Sequence, residues 1–93
     1  MPPEFNRFDG YSIFDDKGEV KRLVESLLQD KDPDVTLERL RKMDFSYVFI
    51  LSKKGRTKEV ELARDEIEAS REWRKGMIDE TLQKKIESIL FEL

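Results

Sequence analysis

From Asp16 onward the chain falls into stretches whose apolar residues recur at helical spacing. Val20, Leu23, Val24, Leu27 and Leu28 place a broad apolar stripe on one helix face, with Lys21, Arg22, Glu25 and Gln29 on the other. Asp16 stands three residues ahead of Glu19 as an N-cap and N3 pair, so the spacing predicts a helix over 19–29. Asp32-Pro33 reads as a stop followed by a start, because Pro is excluded from helix interiors but favoured at the first helical position. A second helix over 33–43 would turn Val35, Leu37, Leu40 and Met43 inward. Thr57 would cap a longer one reaching Lys75 and ended by Gly76, and Asp79 a last one reaching Leu93. Ile78, Leu82, Ile86, Ile89, Leu90 and Leu93 form the inner stripe of that final helix.

The segment Asp44 to Gly55 carries two signals. Tyr47-Val48-Phe49-Ile50-Leu51 has the β-branched and aromatic enrichment of a buried strand. Asp44 in front, Lys53 and Lys54 behind and Gly55 beyond resemble the cap, dipole complement and C′ residue of a helix. A lone strand cannot satisfy its backbone hydrogen bonds, and with 33–43 and 57–75 assigned to helices only Tyr11 to Phe14 is left to pair with it. A buried helix is therefore favoured. The expected fold is all-α, a single domain over 1–93 with four or five short helices. An extended arm over 1–14, bearing Pro2, Pro3, Phe5, Phe8, Gly10 and Tyr11, precedes a helical body over 15–93. The alternative is α+β, with a short strand at 46–52 pairing with Tyr11 to Phe14 or with a second subunit.

Composition narrows the chemistry. The chain has 93 residues, 42% of them charged, and contains neither Cys nor His. Disulfides, zinc-ribbon sites, Cys or Ser-His-Asp nucleophiles and imidazole acid-base catalysis are all excluded together. The net charge of -3 gives no overall attraction to nucleic acid or an anionic membrane. Met1 to Gly10 has no apolar targeting core, and the longest apolar run, Tyr47 to Leu51, is far short of the roughly 20 residues that span a bilayer. A cytoplasmic setting is expected. One Asn, two Gln and abundant Lys and Glu are a thermophilic bias.

The candidate motifs are incomplete. Asp30-Lys31-Asp32-Pro33-Asp34 opens like a calcium loop, but the positions needing Gly and Glu hold Val35 and Arg41. Gly55-Arg56-Thr57-Lys58 lacks the second Gly of a phosphate loop, and Arg56 stands where a helix-turn-helix buries an apolar residue. Lys53, Lys54, Arg56 and Lys58 are the densest basic cluster, placed to make phosphate contacts at an expected helix N-terminus. The carboxylates Glu61 with Asp65 and Glu68 with Glu72 share helical spacing, but Arg64, Arg71 and Arg74 are interleaved, as on a solvated face. No catalytic residue, metal site or cofactor is expected.

On a 57–75 helix, Val60, Ala63 and Ile67 would form one stripe, and Leu62, Ala69 and Trp73 a second roughly 120° away. Phe91 points away from the inner line of the last helix. Leu62, Trp73 and Phe91 are thus the candidate partner interface, unless the aromatics of the arm cover them. The function expected is a small non-enzymatic protein-interaction or assembly module that binds itself, as a homo-oligomer, or another protein. The alternative is a nucleic-acid-binding regulator using Lys53 to Lys58.

Overall fold

The computed structural model describes residues 12–93. The expected arm, with Phe5, Phe8 and Tyr11, lies almost entirely outside the described residues. The described chain is α+β, which corrects the all-α helical bundle: three α-helices and a three-stranded antiparallel sheet, with 28% strand. A 3₁₀ turn, Ile13–Asp15, leads into α1, Lys17–Lys31. The meander β1 (Thr36–Lys42), β2 (Ser46–Lys53) and β3 (Arg56–Ala63) follows, in sheet order β1-β2-β3. A short α2, Arg64–Ala69, a second 3₁₀ turn, Trp73–Lys75, and α3, Glu80–Glu92, complete the chain.

The outer helices form for the reasons their spacing gives. The Asp16 carboxylate accepts from the Glu19 amide at 3.2 Å, and Asp79 accepts from the Leu82 amide at 3.1 Å. Val20, Leu23, Val24, Leu27 and Leu28 of α1 are buried together with Leu82 and Ile86 of α3.

Two expected helices are strands and a third is strand in its first part. The helix expected over 33–43 is replaced by β1, because Asp32 caps a turn: its carboxylate accepts from the Asp34 amide at 3.2 Å and its carbonyl from the Val35 amide at 3.1 Å. In β1 a bulge at Glu38 inserts one extra residue between the pairs Leu37–Leu51 and Arg39–Ile50. Leu37 and Leu40, three apart as on a helix, thereby reach the same face of a strand. The helix favoured over 44–55 is β2, whose partners are β1 and β3. Of the expected partner Tyr11 to Phe14, Tyr11 lies outside the described residues, and the rest is not a strand: Ser12 precedes a 3₁₀ turn, Ile13–Asp15. The helix expected over 57–75 divides into β3, α2 and turns, and the alternation Lys58, Val60, Leu62 inward against Thr57, Glu59, Glu61 outward is that of a strand. Lys53 pairs with Arg56, so β2 and β3 are joined by a two-residue turn at Lys54 (φ 52°) and Gly55 (φ 82°). Positive φ at both central residues is the type I′ geometry that matches strand twist.

Tyr47, Phe49 and Leu51 of β2, with Val60 and Leu62 of β3, share one core with α1, α3 and Ile67. The Phe14 and Tyr47 rings meet edge to face at 5.0 Å, and the Tyr47 hydroxyl donates to the Phe14 carbonyl at 2.8 Å. Both long helices therefore lie on one face of the sheet.

Candidate protein-interaction surface

Strand pairing sorts the other face into rows. Arg39, Ile50 and Glu59 form one row and Arg41, Val48 and Glu61 the next, with Thr36, Ser52 and Thr57 beyond. The face thus carries Val48 and Ile50 at the centre of β2, between Ser46 and Ser52, with arginines along β1 and glutamates along β3. Val48 and Ile50 keep part of their surface exposed, while Arg39, Arg41, Glu59 and Glu61 are exposed. Arg39, Arg41 and Glu59 make no ion pair among the described residues, and Glu61 accepts from the Ser46 hydroxyl at 2.5 Å. At the bulge, Glu38 accepts from the Ser52 hydroxyl at 2.7 Å. Nothing in the chain's pattern flags these rows, because side chains distant in sequence become neighbours only through the register.

The residues singled out from the sequence are dispersed. Leu62 is wholly buried under the helices, so it cannot touch a partner. Its stripe is an artefact of placing a strand on a helical wheel. Trp73 is half-buried against the core, with the Arg74 guanidinium 4.6 Å from its ring centroid. Its indole N–H is buried with no acceptor among the described residues. Phe91 is 93% exposed beside Leu90, Lys31 and Glu87 at the end of α3. Phe45 and Met43 are exposed at the β1–β2 turn, and Met77 ahead of α3.

The basic cluster has no helix behind it. Gly55 lies in the hairpin turn and Arg56 to Lys58 begin β3, so the free helix amides expected there do not exist. Lys53 bonds Asp32 at 2.7 Å and Lys58 pairs with Glu92 at 3.2 Å, while Lys54 and Arg56 stand exposed at the tip. The Lys53 hydrogen bond holds the Asp32 carboxyl below the usual carboxylate value. Burial, with Asp15 and Asp16 nearby, pushes the Tyr47 phenol above its ordinary value.

An open cleft of about 460 Å³ runs between α1 and β1, lined by Arg22, Glu25, Leu28, Val35 and Leu37. Its polar side chains Arg22 and Glu25 are exposed. Among the described residues no group of Asp and Glu side chains is placed to hold a metal ion, and no helix is long and apolar enough to cross a membrane. No family model matches the chain, and neither a curated protein nor a solved structure is significantly similar to it.

Proposed function

We propose that this protein is a small non-enzymatic assembly module that associates through the sheet face left uncovered among the described residues. One observation carries the reading: α1 and α3 occupy the same side, leaving Val48 and Ile50 of the central strand partly exposed between unpaired charges. An antiparallel sheet often has one solvated face, and that face is then commonly polar. Here the outer strands follow the rule and the central one does not. The chemistry of the chain supports the same reading, since it lacks His and Cys and the cleft between α1 and β1 is open and lined in part by exposed polar groups.

Sedimentation equilibrium from about 10 μM to about 1 mM protein tests it, a range that brackets weak association. The weight-average mass should rise above that of the 11.1 kDa chain. A constant monomer mass over the whole range would sink the self-association reading.

A further inference from the structure

We infer that the partner is a second copy of this chain, docked sheet to sheet about a two-fold axis that runs along β2. The inference rests on the uncovered face being the interaction surface, and it adds the occupant and its orientation. A two-fold dimer requires one patch to complement itself. For two facing sheets, the in-plane axis can run along the strands or across them. An axis across the strands lays β1 on β1 and β3 on β3, setting arginine against arginine and glutamate against glutamate. An axis along β2 lays β1 of one copy over β3 of the other. Because each row holds its charges at one height, Arg39 then meets Glu59 of the other copy and Arg41 meets its Glu61, with Ile50 on Ile50 and Val48 on Val48 between them. The rows satisfy both copies at once, and only in this orientation.

Packed sheets stand about 10 Å apart with strands turned by about 30°, a gap that Arg and Glu side chains can span from either side. The ion pairs lie at the rim, so they set orientation more than strength, and Val48 and Ile50 supply the attraction. Strand spacing makes the face roughly 14 by 23 Å, well under the ~800 Å² each partner gives to a stable interface. The dimer is accordingly weak, with a Kd on the order of 100 μM.

Charge reversal on each side provides the test. The double variants Arg39→Glu/Arg41→Glu and Glu59→Arg/Glu61→Arg change exposed side chains; the first should keep the wild-type thermal midpoint to within a few degrees, and the second, which takes the acceptor from the Ser46 hydroxyl, should lower it by several degrees and still fold. Each alone makes the face single-signed and should weaken self-association at least about tenfold. An equimolar mixture should restore a dimer, now heteromeric, because one face is acidic and the other basic. A control reversal off the face, Lys21→Glu/Arg71→Glu, changes the net charge as much as the acidic-faced variant does but keeps both rows, and should self-associate as wild type does. Wild type that stays monomeric at about 1 mM overturns both this inference and the reading beneath it. Wild type that associates while both variants associate equally well overturns the sheet-face dimer and leaves self-association standing elsewhere. Loss in both variants without recovery on mixing overturns the axis along β2.

Discussion

On one face of the sheet Tyr47, Phe49 and Leu51 lose all contact with solvent beneath the helices, whereas Val48 and Ile50, interleaved in the same strand, keep part of theirs on the other. The two sets are similarly hydrophobic, so hydrophobicity of the strand does not decide which is buried. The neighbours decide. Core-facing residues of β2 meet Leu37, Leu40, Val60 and Leu62, with Lys42 and Lys58 only at the ends, and the opposite residues Val48 and Ile50 meet Arg39, Arg41, Glu59 and Glu61. Among the described residues one face is completed by the helices, while the other is left apolar at its centre and charged at its edges.

That contrast can be broken first at the core. Phe49→Ala removes a wholly buried ring and should cost about 3–5 kcal/mol of folding stability, read as a fall in the urea midpoint. Next comes the turn that fixes the rows. Gly55 has φ 82° and open space where a Cβ would stand, so Gly55→Ala acts through backbone conformation alone and should cost about 1–2 kcal/mol. Lys54→Asn should act oppositely, raising stability by up to about 1 kcal/mol, because Asn tolerates the left-handed region that Lys54 occupies at φ 52°.

Alkaline titration probes the core side through Tyr47. Its folded value lies above the ordinary 10.0, so its contribution is fully present below about pH 10 and is lost as pH rises through the folded value. Stability curves should fall in that window, and Tyr47→Phe should flatten the fall. The smallest effect on folding belongs to the open face. Ile50→Thr should change the unfolding free energy by less than about 1 kcal/mol while lowering self-association, separating the two faces by their readouts.

The helices at the two ends are legible in the sequence because cap and stripe agree at Asp16 with Val20 to Leu28 and at Asp79 with Leu82 and Ile86. The sheet is not. The bulge at Glu38 gives Leu37 and Leu40 a helix-like spacing on one strand face, hiding β1. Lys53-Lys54-Gly55 resembles a helix end because a C′ glycine and a type I′ turn both call for positive φ. With β1 and β3 read as helices, β2 is denied its true partners and reads as a helix too. The alternation from Thr57 to Leu62 is the signal that could have found β3, and its continuation into Ala63 and Ile67 obscures it. Of the candidate interface, the exposure of Phe91 is legible and the burial of Leu62 is not, since the first depends on a helix and the second on the sheet. The charge rows need the register itself.

The most direct measurement is an isotope-filtered NOE experiment on a mixture of labelled and unlabelled chains at about 1 mM, a concentration that populates a weak dimer. Docking about β2 predicts intermolecular contacts from the Ile50 and Val48 methyl groups to the same residues of the second copy, absent at low concentration. Intermolecular contacts confined to Phe91 or Phe45, or none from Val48 and Ile50, would contradict it.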